Sequence, residues 1–388
     1  MRLPMNQAVE RLGLSGIRRF TAIARETPGC VLLTLGEPEF DTPEPVKEET
    51  VRSLSRNETH YPPNNGQPYL LEALSAAAAQ RGLRYSAEEI ILTCGATEAI
   101  FSALTAILNP GDEVIVPTPA FGLYESITGV CRGTYVPMDV SGGQFQITGE
   151  ALAKAVTSRT KAIVLNSPNN PTGCVYTAET LDLVAETARR TGIYVICDEV
   201  YRQLAYIDGE LSFAVLHPEL REQTIIVDSF SKPYAMTGWR LGWLMADGPI
   251  KAQIQKVHQF AVSSATSFTQ RACVTALEGD VSAMRESYRR RRDLVYGRLV
   301  EMGMEVSKPE GAFYIFPSIK QYGIGAEEFC IRLAREGGLG LVPGNCFGTE
   351  GYVRLSYCYS EAELLEGLDR LERFLRTGLG KQAYAENN

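Results

Sequence analysis

A lysine flanked by hydroxyl groups and an arginine is the first chemically suggestive group in the sequence. In DSFSKPYAMTGWRLGW, Lys232 comes just after Ser229 and Ser231, and Arg240 follows one short stretch later. Two hydroxyls and a guanidinium can hold an anion beside an amine nucleophile. A lone lysine is usually a surface charge, whereas this combination suits Schiff-base chemistry on a phosphorylated cofactor.

A carboxylate and a tyrosine form a second cluster, ICDEVY, in which Asp198 closes an apolar run and Tyr201 lies three residues on. A carboxylate at the carboxyl end of a parallel strand lies where α/β sheets bind ligands. When it is buried it needs a cationic partner, such as a pyridinium nitrogen. An aspartate at this place is also a common cap for the N-terminus of a helix.

Two turns follow strand-like runs. NSPNNPTG (166–173) is by itself a turn, in which the side-chain amide of Asn170 can donate hydrogen bonds. TCGATEA (93–99) predicts a strand, a tight turn and a helix, with the amides of Gly95, Ala96 and Thr97 facing an anion. Glycine before a helix is common, so this motif gains weight from the other clusters.

The segments that must position these groups alternate between short apolar runs and helical patterns. Runs rich in Val and Ile occur at 90–93, 112–117, 161–168, 193–199 and 224–230. Helical tracts lie between them, which predicts a largely parallel sheet buried on both faces. From about residue 245 helical patterns prevail, and the tail mixes short strands with helices, which predicts a separate α+β lobe.

The composition is that of a globular protein. The chain has 388 residues, 45% hydrophobic and 22% charged, which is enough for a large and a smaller domain. The net charge of −8 and the absence of a phosphate-binding basic block argue against nucleic acid as a partner. We expect no membrane span, no signal peptide and a cytoplasmic location. Nine cysteines without a CxxC and three histidines without ligand spacing predict no metal site.

Together the clusters resemble the pyridoxal-phosphate aminotransferases of fold type I, the class I/II family. The resemblance covers nearly the whole chain, through LGEPEFDTP, HYPPNNG, CGATEA, NSPNNPTG, CDEVY, SFSKPYAMTGWRLGW and GYVRLSY. SGIRRF, KVHQF and GAFYIFPSIK are most similar to bacterial enzymes that act on aromatic amino acids or on N-acetyl-LL-2,6-diaminopimelate. The family implies an α/β fold with a mostly parallel seven-stranded sheet flanked by helices in a large domain (46–285). A smaller α+β domain (286–388) would be joined by the N-terminal segment (1–45).

The resemblance also implies roles for the motif residues. Lys232 would bind pyridoxal 5′-phosphate as a Schiff base and move a proton between the substrate Cα and the cofactor, and Asp198 would pair with the ring nitrogen. The other cofactor contacts would be Tyr201 and Asn170 at the phenolic oxygen, Phe121 on the ring, and Gly95, Ala96, Thr97, Ser229, Ser231 and Arg240 at the phosphate. Tyr61 of HYPPNNG would reach the phosphate of the neighbouring subunit, which implies a homodimer with shared active sites.

The implied substrates are an L-amino acid and a 2-oxo acid such as 2-oxoglutarate, used in ping-pong order. Arg354 of VRLSY would bind the α-carboxylate, helped by Asn170 and the backbone of Gly36. Ile17 would face the side chain and favour an aromatic or long one over a short dicarboxylate. The alternatives are an aspartate-type aminotransferase, a pyridoxal-phosphate-dependent C–S β-lyase, and a ligand-sensing regulator. Such regulators usually carry a DNA-binding module, for which this chain has neither the length nor the basic patch.

Overall fold

The computed structural model describes residues 3–209 and 211–377. Its strands are β1 (Val31–Leu32), β2 (Ile90–Thr93), β3 (Glu113–Thr118), β4 (Thr134–Asp139), β5 (Thr160–Asn166), β6 (Tyr194–Asp198), β7 (Thr224–Ser229), β8 (Gly242–Ala246), β9 (Tyr314–Ile315), β10 (Leu339–Gly340), β11 (Val342–Pro343) and β12 (Val353–Ser356). Its α-helices are α1 (Gln7–Glu10), α2 (Gly16–Arg25), α3 (Glu44–Ser55), α4 (Pro68–Gln80), α5 (Ala96–Ile107), α6 (Leu123–Val130), α7 (Gly149–Ala155), α8 (Ala178–Thr191), α9 (Phe213–Leu216), α10 (Gly248–Val262), α11 (Ser267–Leu277), α12 (Ser282–Glu301), α13 (Ala326–Arg332) and α14 (Glu361–Thr377).

A seven-stranded sheet forms the centre of the large domain, in the order β2-β8-β7-β6-β5-β3-β4. Neighbours from β4 to β7 run parallel, whereas β8 is antiparallel to both β7 and β2. Asn166 at the end of β5 pairs with Asp198 at the end of β6, which pairs with Val227 of β7. The carboxyl ends of three central strands therefore lie side by side, the edge at which open α/β sheets bind ligands.

Helices cover both faces of this sheet because its central strands are apolar on both sides. Every residue of β2, β3, β7 and β8 is buried. One core cluster holds Ile163 and Val195 with Val184 of α8, and another holds Val164 and Ile196 with Ile100 of α5. The expected α/β class with a mostly parallel seven-stranded sheet flanked by helices is confirmed.

The C-terminal part builds a second core from both ends of the chain. β9, β12 and β11 form a small antiparallel sheet, and α12 packs with α14. Phe20 of α2 and Leu33, just after β1, lie in the same apolar cluster as Val353, Leu368 and Phe374. β1 pairs in parallel with β10, which fastens the N-terminal segment to this C-terminal lobe.

The expected domain limits remain a prediction. α12 continues through residue 285 without a break, so the division at 285/286 falls inside a helix. In the described ranges, no helix is long and apolar enough to cross a membrane.

Candidate active site

A cavity of about 580 Å³ opens at the carboxyl edge of the large sheet, against the C-terminal lobe. The ends of β5, β6 and β7 supply Asn166, Asp198 and Ser229 to its wall. The N-terminus of α5 supplies Ala96 and Thr97. From the C-terminal lobe, β9 contributes Tyr314 and β12 contributes Arg354, so both the large domain and the lobe form the cavity wall.

Lys232 lies in this cavity, three residues after β7 ends. Its Nζ donates a hydrogen bond to the Gly36 carbonyl at 2.7 Å and sits 5.9 Å from the centre of the Phe313 ring. Burial lowers the pKa of Lys232 to about 8, because the ammonium loses water around it. A substantial fraction of the amine is therefore neutral near physiological pH and able to act as a nucleophile.

Asp198 is a buried carboxylate on the same wall. It accepts hydrogen bonds from the Tyr124 hydroxyl at 2.8 Å and from the Val200 amide at 3.3 Å. Burial raises the pKa of Asp198 to about 6, and the bond from Tyr124 opposes that shift. No cation pairs with Asp198 among the described residues, so a cationic ligand group in the cavity would stabilise its charge.

Tyr201 lies beyond Asp198, with its hydroxyl 2.9 Å from that of Tyr314. Burial raises the pKa of Tyr201 well above its usual value, so the phenol stays protonated and able to donate. Both rings border the cavity.

An anion cradle surrounds the start of α5. Gly95 has φ +81, and a Cβ there would lie 2.6 Å from the Arg240 guanidinium. The space at Gly242 is similarly small, since an added Cβ would lie 2.8 Å from the Ala96 backbone nitrogen. These two glycines let Arg240 reach the helix N-terminus, where backbone amides and the helix dipole favour an anion. Ser229 and Ser231 line the same part of the cavity, and the Ser231 amide donates to Ser229 Oγ at 3.2 Å.

Arg354 of β12 is the cation on the lobe side of the cavity and is 1% exposed. Its Nη1 donates to Asn170 Oδ1 at 2.9 Å, and its Nη2 donates to the Thr34 carbonyl. The guanidinium lies over the Tyr314 and Phe347 rings, at 4.5 and 4.8 Å from their centres. Its Nε has no hydrogen-bond partner and no carboxylate pairs with it within residues 3–209 and 211–377. A ligand carboxylate would satisfy this oriented, buried charge.

Most of the residues singled out from the sequence meet in this one cavity. Its lining includes Ile17, Gly36, Ala96, Thr97, Phe121, Asn170, Asp198, Tyr201, Ser229, Ser231, Lys232, Arg240 and Arg354. Gly95 touches it through the contact with Arg240. Tyr61 lies elsewhere, with 92% of its surface exposed, and makes no contribution to the cavity of its own chain.

Sequence reasoning missed two tyrosines that hold these groups. Tyr124 lies three residues after Phe121 in TPAFGLY, in the first turn of α6, and that motif does not mark it as a partner of Asp198. Tyr314 lies within GAFYIFPSIK, but its hydrogen bond to Tyr201 joins residues far apart in sequence. Nothing local to either motif signals that contact.

Comparison with known proteins agrees with this geometry. The family model "Aminotransferase class I and II" matches residues 28–371. A probable N-acetyl-LL-diaminopimelate aminotransferase of Bacillus subtilis is 42% identical over 96% of this chain and 95% of that protein. Aromatic-amino-acid aminotransferase 2 of Thermococcus litoralis is 35% identical, over 96% and 99%. The solved aspartate aminotransferase from Thermus thermophilus with maleate has a TM-score of 0.91 and 36% identity, over 96% and 100%.

Proposed function

The chain belongs to the aminotransferase class I and II family and is a transaminase, and we propose that pyridoxal 5′-phosphate is its cofactor. The observation that carries this proposal is one cavity holding three complementary groups. Lys232 offers an amine of lowered pKa, Asp198 a buried acid in need of a cation, and Arg354 a buried cation in need of an anion.

The cavity fits this cofactor at both ends. Asp198 would face the ring nitrogen, and its unmatched buried charge is what a pyridinium requires. The cradle made by Gly95, Gly242 and Arg240 is open where a phosphate would meet the amides at the start of α5. Ser229 and Ser231 add hydroxyl groups there, while Phe121, Tyr201 and Asn170 would border the ring.

The proposed mechanism assigns one task to each of the chain's own groups. When bound, pyridoxal phosphate supplies an electron sink for the bonds at the substrate α-carbon. Lys232 Nζ would hold the cofactor covalently and, once displaced by the substrate amine, would carry the proton between the substrate Cα and the cofactor C4′. Asp198 would hold a proton on the ring nitrogen, and Tyr201 would donate to the phenolic oxygen. Arg354 and Asn170 would orient the α-carboxylate, with Gly36 beside them.

The substrates are an amino acid and a 2-oxo acid, which use the same cavity in turn, so we expect ping-pong kinetics. We propose an L-amino acid with an aromatic or long side chain as donor and 2-oxoglutarate as an acceptor. Ile17, Leu35 and Leu123 give the cavity an apolar stretch of wall that suits such side chains. Two of the three relatives reported above are named as a probable N-acetyl-LL-diaminopimelate aminotransferase and an aromatic-amino-acid aminotransferase, which supports this range, whereas the third is named as an aspartate aminotransferase.

We further propose a homodimer in which Tyr61 reaches the phosphate held by the other subunit. The segment that carries Tyr61 is firmly held, since Asn64 donates to the Ser263 carbonyl at 2.7 Å and its own carbonyl lies 2.8 Å from His258 Nε2. A fixed backbone that presents a 92% exposed tyrosine is typical of a surface that a partner covers.

Glutamate formation from 2-oxoglutarate, measured with a panel of amino donors, tests the proposal directly. We expect a yellow holoenzyme that transaminates, and a Lys232→Ala variant that neither binds the cofactor covalently nor turns over. Pyruvate release from cysteine or cystathionine without amino transfer would instead indicate a C–S lyase. Full transamination by Lys232→Ala without added amine would contradict the assignment.

A further inference from the structure

A second cavity continues from the mouth of the active site along α2. It has a volume of about 620 Å³ and shares Arg18, Leu35, Gly36, Lys232 and Thr237 with the first cavity, so the two lie side by side. We call it the outer cavity. A substrate side chain that extends past Arg18 and Leu35 would enter it.

One face of α2 lines the outer cavity. Arg18, Thr21, Ala22 and Arg25 follow the i, i+3, i+4, i+7 spacing of a single helix face. The orientation of α2 is fixed by its other side, because Phe20 and Ala24 are buried and Phe20 packs in the core of the C-terminal lobe. Thr21 adds a 2.9 Å hydrogen bond to Thr34. The two arginines are thus held toward the cavity and, seven residues apart, lie about 10 Å from one another along the helix.

The charge in the outer cavity is unbalanced. In the part of the chain that the structure describes, neither Arg18 nor Arg25 has an ion pair or a side-chain hydrogen bond, whereas Arg19 on another face pairs with Glu327 at 3.4 Å. Glu37, the carboxylate that lines this cavity, accepts the Thr237 hydroxyl at 2.6 Å. Two guanidinium groups are therefore left free to bind an anion that enters from the active site.

Part of the wall of the first cavity is apolar, where Ile17, Leu35 and Leu123 line it. The proposed function already uses Arg354 for the α-carboxylate and Arg240 for the phosphate, which leaves Arg18 as the unused arginine of this lining. A side-chain carboxylate held against the apolar wall would lose solvation without gaining a partner. A side chain long enough to carry its carboxylate past that wall would meet Arg18 and then Arg25.

We propose that Arg18 and Arg25 select amino donors whose long side chain, longer than that of glutamate, ends in a carboxylate. This rests on the proposed function and assigns the specificity of that same site to α2. Arg18, which borders both cavities, meets the carboxylate first, and Arg25 extends the reach to still longer chains.

A chain-length series of donors tests this inference. The kcat/KM values for aspartate, glutamate, 2-aminoadipate and 2-aminopimelate are each divided by the value for a neutral donor of the same number of carbons, such as norleucine for 2-aminoadipate. We expect this ratio to rise with chain length, and to fall about tenfold for the long acids in Arg18→Gln and in Arg25→Gln. Arg19→Gln is the matched control, since it removes a charge from the same helix outside the cavity.

The outcomes separate this inference from the proposed function. In one outcome the enzyme transaminates while Arg18→Gln and Arg25→Gln show the same ratios as wild type and Arg19→Gln. That result would overturn this inference but leave the proposed function standing. A ratio that is highest for aspartate would do the same. A wild-type protein that transaminates no donor in the presence of cofactor would overturn the proposed function itself. A fall in the wild-type ratio for the long acids in 0.5 M salt, where the Debye length is about 4 Å, would support recognition through charge.

Discussion

Arg354→Ala is the perturbation whose effect the structure defines best. The side chain is 1% exposed, its guanidinium is fixed by hydrogen bonds to Asn170 and Thr34, and its Nε has no hydrogen-bond partner. On the proposed function, removing it leaves the substrate α-carboxylate without its charged partner in a buried site. Truncating one member of such a pair costs about 2–5 kcal/mol. We therefore expect kcat/KM to fall by about 30-fold to several thousand-fold for every amino and 2-oxo acid alike.

Arg354→Lys separates charge from geometry. A lysine keeps the positive charge but cannot reach Asn170 and Thr34 while presenting a planar fork to a carboxylate. It also gives up the ring stacking against Tyr314 and Phe347. We expect an intermediate loss of about 1.5–3 kcal/mol of transition-state stabilisation, which is the range of a charged hydrogen bond.

The assay pairs each amino acid with the amine that lacks its α-carboxylate, such as phenylalanine and phenethylamine. In wild type the amino acid should be far the better donor, and in Arg354→Ala the difference should largely vanish, a coupling that a two-by-two cycle isolates. Thermal unfolding of each variant is measured alongside. Equal losses for the amino acid and its amine would show that Arg354 acts by supporting Asn170 and Thr34. A loss confined to dicarboxylic donors would make it a reader of side chains.

Three further perturbations address the cofactor side and the dimer. Asp198→Ala should keep the fold but lower kcat by about three orders of magnitude, since on the proposed function it removes the charge that keeps the cofactor ring protonated. A rate within about tenfold of wild type would make Asp198 a structural residue. The rate at which cofactor-free protein takes up pyridoxal 5′-phosphate should rise with pH up to about 8 and then level off, because the lowered pKa of Lys232 leaves its amine neutral above that value. A rise that continues to about pH 10, near the pKa of an ordinary lysine, would contradict this. Mixing Lys232→Ala with Tyr61→Asp subunits should restore about a quarter of wild-type activity, since half of randomly assorted dimers are hybrids and each hybrid has one intact site. No recovery, with hybrids verified by native mass measurement, would place Tyr61 outside the partner's site.

The sequence predicted those strands whose burial is visible locally. The runs at 112–117 and 193–199 correspond to β3 and β6 within a residue or two, because continuous Val and Ile report burial on both faces. β4 escaped prediction since, at the edge of the sheet, it is largely exposed and lacks such a run. β8 runs antiparallel to β2 and β7. This direction depends on pairing with strands that are distant in the sequence, so the residues GWLMA do not indicate it.

The same distinction between local and long-range signals applies to the residues of the candidate active site. Asp198 and Lys232 were found because strand ends and turn residues mark them in their own segments. The hydrogen bond from Tyr124 to Asp198 and the stacking of Arg354 on Phe347 arise where separate elements meet. Likewise no motif in the sequence marks Arg18 and Arg25, because the cavity that they share depends on how α2 docks on the C-terminal lobe.

The joining of both chain ends in one apolar core fixes the order in which this protein can mature during synthesis. The segments of the large sheet, from β2 to β8, leave the ribosome long before the residues that surround Phe20 and Leu33 exist. These two side chains must wait, exposed to chaperones and to other nascent chains, until α14 with Phe374 has emerged. Ile17 and Arg354, which line the same cavity, lie on α2 and β12, in the two parts of the chain that this core joins. We therefore expect a polypeptide that ends before α14 to lack the packing around Phe20 and Leu33 and, with it, a formed wall on the lobe side of the cavity.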